Sequence, residues 1–328
     1  MALSKILPAS QEQYAGARNL VINGSCAISQ RGASAVTINS GSATYRLDRF
    51  YASGASSAGV YTVEQSTDAP TNFKNSLKVT VTTADSSIGA TTNYRVQQSI
   101  EGQNISHLNY GSSDAQSITL TFYVKSSLTG TFGGKLGNSA RDRSYPFTYT
   151  ISSANTWERK TVTIAGDTSG TWLDTNATGI ELAWSIGAGS SRLGTAGAWA
   201  GTRYDGASGQ TDIIATNSAT WLITGVQLEV GETATPFDHR SYGDEFAKCQ
   251  RYYDKFSYGD GMYYSNGTGI GSIKYNMRAT PALTIVSTTA SSSALLLENA
   301  TAIGSHTRVT TNTNYAYWFG VISLDAEL

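Results

Sequence analysis

The side chains of this chain best suited to acid–base or metal chemistry are three histidines, His107, His239 and His306, and a set of aspartates, Asp142, Asp167, Asp174, Asp205 and Asp212. No histidine stands in metal-ligand spacing with another His or Cys. A glycosidase needs two carboxylates facing each other across a cleft. The aspartates all fall in predicted loops, where Asp commonly bonds its own backbone. Loop carboxylates are also the type that holds a structural calcium, which stays open at this point. No G-x-S-x-G nucleophile elbow is present. "GTFGGKLGNS" has the wrong Gly-to-Lys spacing for a phosphate loop, and "GAGSSR" lacks the last glycine of a dinucleotide fingerprint; both read as turns. The expectation is therefore no catalytic residue, no metal site, no cofactor and no enzyme.

Binding chemistry has better candidates. Sugars are recognised by flat aromatic faces flanked by groups that bond hydroxyls. The Gly/Ser/Ala-rich stretch "AWSIGAGSSRLGTAGAWAGTRYDGASGQTDIIA", residues 183–215, supplies Trp199, Arg203, Tyr204 and Asp205. The alternative is that Trp199 tucks under its own loop. Trp184 sits on an alternating apolar face and is expected in the core. A second candidate surface is "FSYGDGMYYSNGTG", where Tyr258, Tyr263 and Tyr264 crowd a turn-rich stretch. Tyrosine offers area and a hydroxyl at low entropic cost, so such loops suit recognition. Subunit packing explains them equally well.

These residues need a scaffold, and the composition points to strands. Charged residues are 14% of the 328, with a net charge of −1, 33 glycines and 19 tyrosines. Without a concentrated basic surface, nucleic acid is not an expected partner. No apolar run reaches the length of a membrane span, and the first twenty residues hold no apolar secretion core. Cys26 and Cys249 are expected as buried free thiols, with a disulfide left open. Period-two alternation recurs in "SLKVTVTT", "SITLTFYVKSS", "WERKTVTIAGD" and "GIELAWSIG". Alternation puts one face on a core and the other in water, as antiparallel sandwich sheets require. In "WLITGVQLEVG" the apolar face changes parity at Gly225, which predicts a β-bulge.

After Pro236 the period changes. Tyr242, Phe246, Cys249, Tyr253 and Phe256 are spaced as one helical stripe, with Ser241 as cap and Asp244 three residues on. A helix over 241–256 is predicted, its stripe packing either on its own chain or around a symmetry axis. Residues 257–328 resume strand patterning. The fold class expected is thus all-β: a jelly-roll β-sandwich, one short amphipathic helix, and a small C-terminal β domain. The boundaries read as a leader at 1–22, the sandwich at 23–238, the linking helix at 239–256 and the C-terminal domain at 257–328.

Four stretches in order carry a family resemblance: "NLVINGSCAISQRG", "YRLDRF" at 45–50, "ITGVQLEVGETATPFDHRSYGDEFAKCQRYY" and "MRATPALTIV" at 277–286. Together they resemble tail fibre and minor structural proteins of tailed-bacteriophage virions. The resemblance implies a carbohydrate-binding-module-like jelly roll ahead of a small β domain. It also implies a place on the virion surface after assembly in the host cytoplasm. The expectation is a homotrimeric fibre or spike, attached to other virion proteins through residues 1–22 and contacting bacterial surface glycans without cleaving them. A purely structural capsid-decoration or tail-assembly subunit is the alternative.

Overall fold

The computed structural model describes residues 18–54, 58–263, 268–290, 294–301, 304–310 and 315–328, with side chains for all of these but 258–274, 285 and 287–320. The leader up to residue 17 and Tyr264 lie outside the described residues. The chain divides into two compact units. The first holds residues 18–27, 33–46 and 50–239; the second holds Ile28–Gly32, Leu47–Arg49 and Arg240–Leu328.

The first unit contains, in chain order, β1 (Val36–Ile38), β2 (Ala43–Leu47), β3 (Phe50–Gly54), β4 (Val60–Ser66), β5 (Ser76–Thr83), β6 (Asn93–Glu101), β7 (Ile118–Ser126), β8 (Gly130–Asn138), β9 (Ser144–Ile151), β10 (Glu158–Ile164), β11 (Thr178–Ala188), β12 (Leu193–Gly194), β13 (Gly206–Ala207) and β14 (Thr220–Val230). They build one sheet of order β1-β4-β5-β14-β7-β10 and a second of order β2-β3-β6-β11-β8-β9, a jelly-roll-like sandwich. The apolar parity seen in the sequence is the inner face: Leu77, Val79, Val81, Ile118, Leu120, Phe122, Val124, Ile180, Leu182 and Trp184 are all buried. Aromatic rings join the two sheets. Trp184 meets Phe122 edge-on at 5.6 Å, Phe122 meets Tyr149 at 5.1 Å, and the Trp221 indole N–H donates to the Tyr149 hydroxyl at 3.0 Å. Such pairs add roughly 0.5–1.5 kcal/mol each beyond the area they bury.

The bulge falls where the parity changed. The β14–β7 register slips between Thr224 and Gln227, and Gly225 takes φ +61°. A Cβ there would lie 2.7 Å from the Phe73 ring and 2.9 Å from that of Tyr123, so both conformation and space demand glycine. Two local readings are corrected. "GTFGGKLGN" is not a turn but strand β8. Its glycines are steric: a Cβ at Gly134 would meet the Phe147 ring at 2.3 Å, and one at Gly133 would meet Gln210 Oε1 at 2.0 Å. Residues 19–22, expected in the leader, belong to the sandwich. Leu20 N–H donates to Leu228 C=O, Val226 N–H donates to Gly24 C=O, and the Gln98 amide clamps both backbone groups of Ile22 at 2.8 Å.

In the second unit, α1 (Tyr242–Gln250) precedes β15 (Tyr253–Tyr263), β16 (Thr268–Lys274), β17 (Ala282–Ala290), β18 (Ala294–Thr301), β19 (Gly304–Thr310) and β20 (Tyr315–Asp325). The sheets are β15-β20-β17 and β16-β19-β18. Ser241 caps the helix by accepting from Asp244 N–H. The helix is shorter than predicted. Tyr252 N–H donates to Cys249 C=O, and from Tyr253 the chain pairs with β20, Tyr253 opposite Asp325. Aromatic β-formers with a strand partner about 70 residues away override a helical spacing that local sequence alone suggested. The stripe therefore splits. Cys249 and Tyr253 are buried, Phe256 and Phe246 are half-buried, and Tyr242 is 65% exposed with its ring stacked on Phe246 at 5.8 Å. The Arg31 guanidinium covers the Tyr253 ring at 3.5 Å. Both cysteines are buried free thiols.

Candidate functional site

The inner parity of the second sheet makes the core, so the opposite parity forms an outer face of different chemistry. Register aligns its residues in rows across the strands. Tyr51, Gln97, Ala183, Lys135 and Pro146 form one row; Ser53, Arg95 and Ser185 form the next; Ser99, Glu181, Gly137 and Ser144 form the third. Gly133 and Gly137 flank Lys135 on β8. Arg143 C=O fills the space over Gly137, where a Cβ would meet it at 2.7 Å, and the chain after β11 fills that over Gly133, where a Cβ would meet Ala207 N at 2.9 Å. This returning segment hugs the edge strand β9. Ser144 and Ala200 exchange backbone hydrogen bonds, Gly197 N–H donates to Pro146 C=O, and Ser144 Oγ accepts from Tyr204 N–H while donating to Thr202 C=O. The edge is thereby covered rather than left as a template for pairing. Gln210 pins the far end, its amide donating to Ser185 Oγ and Asp212 while its carbonyl accepts from Ala207 N–H.

Between face and segment lies a charged cluster. Asp205 is 1% exposed and accepts from Arg95 at 3.3 Å, from Arg203 at 3.0 Å and from Asn93 at 2.6 Å, with Arg192 at 3.9 Å. Glu181 is held by Lys135 at 2.5 Å and by Arg141 at 3.0 Å. Burial opposes both charges, but the neighbouring Lys135 and Arg95, with Arg203, hold the Asp205 carboxyl below the usual range. Lys135 and Arg141 do the same for Glu181. Both therefore remain carboxylates well into acid. Tyr51, half-buried, stands beside Gln97 in register and pairs with the Tyr45 ring at 5.1 Å. Gln97, Ser185, Arg95 and Lys135 are buried, so the groups of this face that reach solvent are the half-buried Tyr51 ring and the guanidinium groups of Arg141, Arg192 and Arg203, a set able to stack on a sugar and bond its oxygens.

No protein-family model and no curated protein matches the chain. Solved structures similar to it include the enzymatically active domain of bacteriophage CBA120 tailspike protein 4, 12% identical over 65% of this chain, with a TM-score of 0.33. This chain covers only 22% of the length of that tailspike structure. A family 11 carbohydrate-binding module from Clostridium thermocellum, in complex with a mixed-linked tetrasaccharide, is 10% identical over 62% of this chain and 99% of that one, with a TM-score of 0.31. The CBM22-1 xylan-binding domain from Paenibacillus barcinonensis Xyn10C is 10% identical over 66% of this chain and 96% of that one, with a TM-score of 0.28.

The residues singled out from the sequence separate. Arg203 and Asp205 belong to the charged cluster. Tyr204 is half-buried, its ring packed where a Cβ on Gly194 would meet it at 2.2 Å. Trp199 is drawn away into an aromatic group with Tyr110, Tyr145 and Trp172, at centroid distances of 6.0, 5.4 and 5.5 Å, and its indole N–H donates to Ala165 C=O. It is half-buried, packed edge-on within this group. Tyr258 and Tyr263 lie in β15 with side chains outside the description. The loop carboxylates are engaged by protein donors: Asp167 takes a two-point bond from Arg143, Asp142 accepts from Asn138, and Asp212 accepts from Gln210; Asp174 is exposed. Among the described residues no three His, Cys, Asp or Glu side chains converge as metal ligands. Sequence reading missed Tyr51, Arg95, Gln97, Lys135, Arg141 and Glu181. The signal was present in "NYRVQQSIE", whose Arg95, Gln97 and Ser99 alternate with Tyr94, Val96 and Gln98. Period-two polarity, however, reads as a solvent face until the covering segment is known.

Proposed function

We propose that the sandwich is a glycan-binding module and that the chain is a surface protein of a tailed-phage particle, a trimeric fibre or spike that binds host glycans without cleaving them. The observation that carries the glycan reading is the outer face of the second sheet, where the half-buried Tyr51 shares a face with the solvent-reaching Arg141 and Arg203 of the Arg141–Glu181–Lys135 and Arg203–Asp205–Arg95 clusters. The electrostatics support binding rather than hydrolysis. A glycosidase needs one carboxyl protonated near neutrality, and here Asp205 and Glu181 are both held ionised by cations. The virion setting, the host cytoplasm as place of assembly and the trimer rest on the sequence resemblance. A glycan array probed with the intact chain, and again with Tyr51→Ala and Arg141→Ala, tests the glycan reading. Binding that both variants weaken is the expected result; an empty array together with unimpaired host adsorption in competition with the chain overturns it. The mass of the chain in solution tests the trimer.

The aromatic group of Trp199, Tyr110, Tyr145 and Trp172 favours a second reading, a structural subunit whose rings serve packing. It predicts that Trp199→Ala lowers particle stability and that Tyr51→Ala leaves adsorption unchanged.

A further inference from the structure

The charges on the outer face do not balance. Asp205 and Glu181 are surrounded by five basic side chains, Arg95, Arg192, Arg203, Lys135 and Arg141, each within 4.0 Å of one of the two carboxylates. Three positive charges are left over locally, in a chain whose net charge is −1. Every oxygen of the two carboxylates is already engaged. Glu181 Oε1 serves Arg141 and Oε2 serves Lys135; Asp205 Oδ1 serves Arg95 and Oδ2 serves Asn93 and Arg203. Donors remain: the Nε of Arg95 and the Nε of Arg203 are buried with no hydrogen-bond partner among the described residues. The surplus reaches solvent, since the side chains of Arg141, Arg192 and Arg203 are 40%, 25% and 24% exposed.

Resting on the reading of this face as a glycan site, we propose that its ligand is an acidic glycan, a polymer whose sugars carry carboxylates. A guanidinium presents a planar pair of donors that matches a carboxylate in two-point contact, which a neutral hydroxyl uses only singly. Arg141 bonds Glu181 through Nε and Nη2 and Arg203 bonds Asp205 through Nη2, so the outer Nη1–Nη2 edge of each solvent-reaching guanidinium is the one to give that contact. Tyr51, half-buried, offers a ring contact that a charged sugar shares with a neutral one, whereas Gln97 and Ser185 are buried.

The test uses the full chain, with polygalacturonate and the same polymer after carboxyl reduction as probes, in titration calorimetry at about 50 and about 300 mM NaCl. The acidic polymer is expected to bind about tenfold tighter, the worth of one charge-assisted hydrogen bond, and to lose most of that advantage at the higher salt. The double variant Arg141→Gln/Arg203→Gln is expected to bring the two polymers level, while Arg203→Lys alone retains part of the preference; circular dichroism on each variant confirms the fold. Equal binding of both polymers by the native chain overturns the acidic ligand and leaves the glycan face standing. A preference undiminished in a folded double variant overturns the assignment to this face. Binding of neither polymer, with neutral glycans bound on the array, overturns the acidic ligand alone, whereas an empty array overturns both.

Discussion

Asp205 shows how much one buried carboxylate can organise. It belongs to the segment that follows β11 and joins Arg95 of β6 to Arg203 of that segment, while Asn93 shares its Oδ2 with Arg203. Removing it leaves several buried cations facing one another without compensation. Asp205→Ala is expected to cost about 3–5 kcal/mol, the usual penalty for breaking a buried pair by deleting one partner. The urea midpoint measures this, and a loss below about 1 kcal/mol would mean that water compensates the cations. The cysteines give a second prediction at this scale. Burial pushes the Cys26 thiol up to about 12, and burial likewise raises Cys249. Since the thiolate is the reactive form, neither should react with a thiol reagent at pH 8 in the folded chain, and both should react in denaturant. Native-state labelling of either would contradict this.

At the scale of elements, glycines decide where strands bend and where other chain can approach. Gly225 combines φ +61° with a Cβ position 2.7 Å from Phe73. Gly209 has φ +81° with open space around it. Gly209→Ala should therefore cost only the left-handed strain, about 1–2 kcal/mol, whereas Gly225→Ala should cost that and the clash, about 3 kcal/mol or more. Equal losses in thermal unfolding would show that the Phe73 ring yields freely. The helix is the other element where local and distant forces meet. Its start was legible, because a cap, acidic residues in the first turn and a change of period are all local features. Its end was not. Tyr253 and Phe256 keep helical spacing in the sequence, yet β20 recruits Tyr253 into a sheet.

For the sandwich as a whole, charge sets the response to pH. Asp205 and Glu181 have folded-state values below their ordinary ones. Their contribution is fully present above the unfolded carboxylate range, near pH 4, and is lost as the pH falls through the folded values. Asp212 runs the other way: burial raises it, so it takes up a proton more readily in the folded state. With the two cation-held carboxylates outweighing it, the urea midpoint is expected to fall between pH 7 and pH 3. A midpoint unchanged or higher at pH 3 would remove the charged cluster from the forces holding this unit together.

By itself the sequence determined which side of each long strand faces the core, because burial with period two is a property of neighbouring residues. Val79, Leu120 and Leu182 were assigned to the inside from alternation alone, and Gly225 to the bulge from a parity change. Only the tertiary structure decided what the other side does. Arg95, Gln97, Glu181 and Lys135 come from three strands spread over nearly 90 residues, and nothing local shows that they meet or that the segment after β11 closes over them. Arg203 and Trp199 stand four residues apart, yet an acidic partner holds one in the charged cluster and an aromatic group draws the other away. Residue type could nominate both; only three-dimensional pairing of charge with charge and ring with ring could separate them.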